Sequence, residues 1–415
     1  MMLMENSILL KEITDYYLHS RDFNGLPIYK ISNYDKEELF ELIDNDLVEV
    51  ISERDVLNPH IRGFSLNISK DIQKKNASDT ESISCFYPTE KTLNGIEIDY
   101  RSPYTSRMKK GEGQFNIVFF DIEVLERYIN NPKFLVIDNG YRGSIIVHDE
   151  YYDENDDAGY IKDYGMAYIE GEKLVRLVGV FLTDLAQLPP KIQMLWNVYE
   201  FENQDICRIE EGFIKNLLYG EWVTDYWILH AIIDETIVIN KQCEAMGIPP
   251  LFAKTYGTDF SEMPEGYRNI LLPTMKNYFD FVLVMEKMFV HSISVKTFQT
   301  DGILVKRIER KDSNGNPKGS LVMFSEWLNE NIRTERNLDE DIIKPLRTIR
   351  KIRQIPAHEL TTNQYDLTLY EKQRDLVNET YEAIRSIRLY FSTHPQAKKI
   401  EVPQYLITGE NIVYY

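Results

Sequence analysis

Arg353 and His358 stand five positions apart, and Gln354 is the first of the four residues between them. Histidine titrates near neutrality, so it can take a proton or return one. Arginine grips phosphate oxygens with paired N–H donors and stabilises the charge that builds on them. The pairing suits cleavage of RNA, because RNA supplies its own nucleophile in the 2′-OH. No metal or cofactor is required for that reaction. Its products are a 2′,3′-cyclic phosphate and a 5′-OH. One histidine per chain is short of a separate acid and base.

Spacing alone does not select this pair. Arg54–His60, Arg142–His148 and Arg388–His394 are spaced similarly. Only the pair at 353 and 358 joins a basic helix to a further long helix. Lys344, Arg347, Arg350, Lys351 and Arg353 fall within ten residues that contain no acidic side chain. The chain as a whole carries a net charge of -19, with -20 in residues 1–250 and +1 in residues 251–415. A basic stripe in so acidic a protein suggests a track for a phosphate backbone, with Lys344, Arg347, Arg350 and Lys351 as RNA-binding residues.

The chain must also bring Arg353 and His358 together. On a continuous helix, positions five apart sit ~140° from each other around the axis. Pro356 lacks an N–H and disfavours the helical conformation at Ile355. The helix is therefore expected to end or kink near Gln354, freeing His358 to turn back toward Arg353. Pro356 alternatively opens a short following helix, which would place His358 in a first turn and lower its pKa.

The segment from Leu346 to His358, with the helix before it and the long helix after it, resembles the signature of the HEPN family (higher eukaryote and prokaryote nucleotide-binding domains). Catalytic members of that family carry Arg, four to six residues and then His, the first intervening residue often being polar. The resemblance spans about residues 265–395. It implies Arg353 and His358 as catalytic residues, Gln354 as auxiliary, and RNA as substrate. It also implies a homodimer in which two motifs face one cleft, and a setting in host defence or toxin-type growth arrest.

Around this motif, residues 1–205 read as a mixed α+β domain and residues 206–415 as an all-α helical bundle. In the first part, Glu37 to Leu47 predicts a short helix. Phe115 to Phe120, Phe134 to Ile137, Gly143 to His148 and Leu174 to Leu182 predict strands. Ile122 to Ile129 predicts a helix capped by Asp121. In the second part, helical spacing runs over Ile209 to Met246, stopped by Gly247 and Pro249–Pro250. It resumes over Tyr267 to Val290 apart from Pro273, then over Ser320 to Glu335, Leu338 to Gln354, and Thr368 to Phe391.

Other constellations have plainer explanations. Asp121 and Glu123 match the first acidic motif of a two-metal exonuclease, but His230 to Asp234 is one residue short of that pattern. Asp153 to Gly159 has the acidic spacing of a calcium loop, with Ala158 where glycine is needed and Tyr164 where glutamate is needed. Cys85, Cys207 and Cys243 are far apart and odd in number, which fits buried free thiols. Trp196, Trp222, Trp227 and Trp327 read as core residues. No metal ligands cluster.

Composition places the chain among globular proteins, with 43% hydrophobic and 27% charged residues. No stretch reaches the ~20 apolar residues of a membrane span, and the first ten residues do not read as a signal peptide. A cytoplasmic protein is expected. Two functions follow: a metal-independent endoribonuclease restrained by an acidic sensor domain that awaits a protein trigger or inhibitor, or a non-catalytic RNA- or nucleotide-binding helical module joined to a protein-interaction domain.

Overall fold

The computed structural model describes residues 7–31, 34–79, 81–138, 140–152, 159–221, 225–259, 262–358 and 362–414, with Lys173, Leu174, Ala357 and His358 described through their backbone only. The chain divides into two compact units. The first comprises Met1–Val136, Ser144–Glu170 and Leu177–Ile209; the second comprises Ile137–Gly143, Gly171–Arg176 and Glu210–Tyr415. A cut between residues 205 and 206 therefore separates two short segments of the second unit from the rest of it.

The first unit is an α/β assembly. It begins with α1 (Ile8–His19), where the Ser7 hydroxyl accepts from the Leu10 N–H at 3.0 Å, and Leu9, Ile13 and Tyr17 are buried. Strand β1 (Leu26–Pro27) precedes α2 (Lys36–Asp44), whose Asp35 cap accepts from the Glu37 N–H at 2.9 Å. Then come β2 (Val48–Ser52), α3 (Lys70–Ser78), β3 (Ser84–Pro88), and short helices α4 (Glu90–Leu93) and α5 (Pro103–Lys109). Strands β1, β3 and β2 form an antiparallel sheet in that order. Leu39, Leu42 and Ile43 of α2 join Val48, Val50 and Phe86 of this sheet in one core.

A larger sheet follows. Its strands are β4 (Ile117–Asp121), β5 (Phe134–Asp138), β6 (Arg142–Val147), β7 (Asp163–Ile169), β8 (Glu172–Phe181) and β9 (Cys207–Ile209). The order is β4-β8-β7-β6-β5, with β9 paired to β7. Helix α6 (Glu126–Ile129) lies between β4 and β5, and α7 (Leu182–Ala186) and α8 (Pro190–Val198) follow β8. Asp121 precedes a 3-10 turn, Ile122–Leu125, and its side chain makes no capping bond. The expected helix over Ile122 to Ile129 is thus a 3-10 turn leading into α6, with no cap from Asp121.

The second unit is helical. After α9 (Glu211–Tyr219), Gly220 adopts a left-handed conformation at φ 66° and ends the helix. Strand β10 (Tyr226–Trp227) leads into α10 (Ile228–Ala245). Next come α11 (Met275–Glu286), extended by a π-helical turn over Lys287–His291, α12 (Val295–Phe298) and α13 (Ser320–Asn331). A second π-helical turn, Asp339–Ile343, opens α14 (Lys344–His358), and α15 (Thr368–Phe391) is the longest helix of the described residues. Helix α16 (Gln404–Thr408) and β11 (Ile412–Val413) follow, and β11 runs parallel to β10.

Helix α10 packs along α15, and α14 packs against both α11 and α15. One core fills the space between them, including Trp227, Trp327, Phe289, Ile384 and Ile387. Two departures from the periodicity have local causes. The single helix expected over Ile209 to Met246 is broken at Gly220 into α9, β10 and α10. The helix expected over Tyr267 to Val290 begins only at Met275, since Pro273 denies the preceding turn a donor and Thr274 caps α11 by accepting from the Asn277 N–H at 3.2 Å.

Candidate functional site on the basic helix

Helix α14 is anchored by Leu346 and Ile349, both fully buried. Burial of each contributes roughly 1.5–3 kcal/mol. Its opposite face carries the positive charge. The Lys344 ammonium donates to Glu340 at 2.7 Å, which raises its pKa. Arg350 lies 3.8 Å from Glu286 of α11. Arg347, Lys351 and Arg353 are exposed and form no ion pair among the described residues. Three of the five cations are therefore available to an outside anion.

The helix does not end at Gln354. It runs through Pro356 to His358, which corrects the expected break. Pro356 lines a groove of about 450 Å³ with Met275, Phe279 and Leu283 of α11. Pro356 is exposed, and without an N–H it leaves the Ile352 carbonyl short of its helical donor.

Continuity has a direct consequence for the predicted pair. Position 358 falls ~140° from position 353 around the axis, but only ~20° from positions 347 and 351. Lys344, Arg347, Lys351, Gln354 and position 358 share one ridge of the helix. Arg353 extends the line of Leu346 and Ile349 instead. It borders the α11 groove, beside Lys276, Asp280 and Asn363. The Asn363 side-chain Oδ1 is already engaged, accepting from the Lys276 backbone N–H at 3.0 Å. Within one chain, the backbone places Arg353 and His358 on different faces of α14. The groove residues escaped sequence reasoning because they belong to a different helix, some 75 residues away in sequence.

The other Arg–His pairs have structural partners. Arg54 meets Asp79 at 2.5 Å, and His60 Nδ1 lies 3.4 Å from the Cys85 sulfur. Arg142 donates to the Asn216 side chain at 2.7 Å. Arg388 is 3% exposed; its Nε donates to Glu235 Oε2 at 2.5 Å and its Nη2 to Glu235 Oε1 at 3.0 Å and the Leu406 carbonyl at 2.8 Å. Burial pushes the Glu235 carboxyl up, and Arg388 opposes that shift. His394 lies 2.5 Å from the Ile303 carbonyl through Nε2.

The remaining candidates resolve as follows. His230 is half-buried against Trp227 and held down at about 4 by burial, with Asp259 opposing. Asp234 accepts from the Tyr405 hydroxyl. Among the described residues, no group of His, Cys, Asp and Glu side chains is arranged to hold a metal ion. Asp153 to Asp157 and Trp222 lie outside the described residues. Cys85, Cys207 and Cys243 are buried free thiols, with Cys85 and Cys243 pushed up to about 12 by burial. Trp196, Trp227 and Trp327 are buried. Among the described residues, no helix is long and apolar enough to cross a membrane. No protein-family profile, curated protein or solved structure matches the chain.

Proposed function

We propose that the helical unit is HEPN-like and acts as a metal-independent endoribonuclease, with His358 moving the proton and Arg353 holding the scissile phosphate. The observation that carries this reading is the ridge of α14. Lys344, Arg347 and Lys351 line up along one exposed face that leads to position 358, in a protein of net charge -19. Such a ridge spans several phosphates of an RNA strand and delivers one of them to the end of the helix. His358 takes the 2′-OH proton as that oxygen attacks phosphorus. The 5′-oxygen then leaves with a proton supplied by a second acid, and the strand is left with a 2′,3′-cyclic phosphate.

The divergence of Arg353 and His358 within one chain shapes the proposal. A composite cleft that both motifs face brings Arg353 of one chain to His358 of the other, and the second chain's His358, protonated, gives its proton to the leaving 5′-oxygen. The active species is therefore a homodimer through the helical unit, in a setting of host defence or toxin-type growth arrest. The test is incubation of purified protein with RNA in chelator, with the fragment ends identified and the sedimentation of the active species measured. Cyclic phosphate ends from a dimer support the reading. Full activity from a monomer overturns the composite site.

The same divergence favours a second reading, in which the ridge holds RNA or a nucleotide without cutting. Retained RNA with no fragments in that experiment, unchanged by His358→Ala, selects it.

A further inference from the structure

The second unit holds a larger cleft, of about 710 Å³, to which no residue of α14 contributes. Arg176 and Arg374 line it, together with the rings of Tyr370 and Tyr414. Both tyrosines are tied down by their hydroxyls. Tyr370 donates to the Leu271 carbonyl at 2.5 Å, and Tyr414 donates to Gln373 Oε1 at 3.2 Å. Gln373 is itself buried, accepting from the Ile270 N–H at 2.9 Å and donating to the Arg268 carbonyl at 3.0 Å. The rings are therefore fixed walls whose polar tips are already used.

Arg176 is different. It is 7% exposed, yet among the described residues its guanidinium has no hydrogen-bond or ion-pair partner. Its N–H donors meet no protein acceptor among those residues, and the residue lines the cleft, so an anion entering there finds them unused. The charge that opposes it is Asp138, 4% exposed, one of whose oxygens accepts from the Gly140 N–H at 2.8 Å while Oδ2 has no partner. Burial holds the Asp138 carboxyl above its usual range, with Arg176 the first of the charges opposing that. The two groups feel each other without bonding, so Asp138 does not satisfy the guanidinium.

We propose that this cleft binds a small molecule through a single anionic group, a carboxylate or a phosphate monoester, seated on Arg176. A planar guanidinium takes either group with two parallel hydrogen bonds. The rim sets the rest of the ligand. Glu172, Glu210, Asp225 and Glu371 surround the cleft, outnumbering Arg176 and Arg374. Four carboxylates repel a polyanionic strand but accept from the hydroxyls or amine of a small frame. The tyrosine rings favour a flat apolar part of the same molecule. The occupant is thus not the RNA of α14, and the cleft stands or falls independently of that reading.

Calorimetric titration of the full chain with adenosine 5′-monophosphate and with L-phenylalanine tests this. The first carries a phosphate monoester with hydroxyls, the second a carboxylate with an amine. We expect one of them to bind at a single site with a sub-millimolar Kd, and which one identifies the anionic group. Arg176→Met is expected to weaken that binding at least tenfold. Without ligand, the same variant is expected to melt at or above the parent temperature, because it removes a buried charge that has no partner. Three results overturn the proposal: no binding of either probe by the parent, equal binding by the variant, or a ligand-free variant that melts well below the parent or fails to fold.

Discussion

Two neighbouring helices each carry an arginine near their C-terminal end with a histidine five or six positions on, and the two arginines have opposite fates. On α15, Arg388 is sealed inside the bundle by Glu235 and the Leu406 carbonyl. On α14, Arg353 is exposed and has no partner among the described residues. An identical residue type is thus a bolt in one place and a free hand in the other. The deciding factor is the neighbouring acid, which lies far away in sequence. Spacing motifs alone cannot see it.

That contrast can be broken first at the chemistry. His358→Ala is expected to lower RNA cleavage by about 10²–10⁴-fold while leaving the melting temperature near that of the parent. Unchanged cleavage by the variant removes His358 from the site. Arg353→Ala is expected to follow the same pattern, folded but slow.

Arg388→Ala should do the reverse. Leaving Glu235 buried and unpaired costs about 3–5 kcal/mol, visible as a lower midpoint in denaturant unfolding. Replacing both Arg388 and Glu235 with methionine should recover much of that loss. A fully stable Arg388→Ala would erase the distinction between the two helices. His394→Ala, which loses two hydrogen bonds, with the Ile303 carbonyl and from the Gln396 N–H, should cost about 1–3 kcal/mol and leave cleavage intact.

The ridge offers a finer test. Arg347→Ala and Lys351→Ala should each weaken RNA binding similarly across sequences and reduce the salt slope of affinity by about one. Arg350, already near Glu286, should change the slope less. Equal slopes for all three variants would show that the Glu286 contact leaves Arg350 as available as the others.

The smallest effect expected is on pH. His230 sits at about 4 because burial disfavours its charge, whereas the unfolded chain binds that proton near 6.5. The unfolded state therefore holds more protons between these values. Its contribution to stability is complete above about pH 6.5 and is lost as the pH falls toward 4. His230→Gln should flatten the melting temperature against pH over that window; an unaltered profile would mean that burial does not govern this histidine.

Much of the architecture was legible where periodicity was strong and local. Strands β4, β5, β6 and β8 coincide closely with apolar runs, and α13 and α15 with helical spacing. The sheet of β1, β2 and β3 was missed, since Val48–Ser52 and Ser84–Pro88 are short and lack alternation. The path of α14 past Gln354 was misread because the groove that accommodates Pro356 comes from α11. Arg353, Gln354 and the four basic residues were proposed from the basic run and the family resemblance, but their division between ridge and groove needed the continuous helix. Arg176 carried no signal: it lies in a strand, and its significance arises from segments near residues 138, 210, 370 and 414 meeting around it.

The pairing of β10 with β11 has a consequence for how the second unit assembles. Tyr226–Trp227 and Ile412–Val413 are joined in parallel, and almost every helix of the unit lies between them in the chain. Helices such as α10 and α15 can form early, from local contacts. The clasp cannot close until the whole intervening stretch is in place, because loop closure over such a span carries a large entropic penalty. The two short strands are therefore expected to pair last, once the packed helices have brought their ends together.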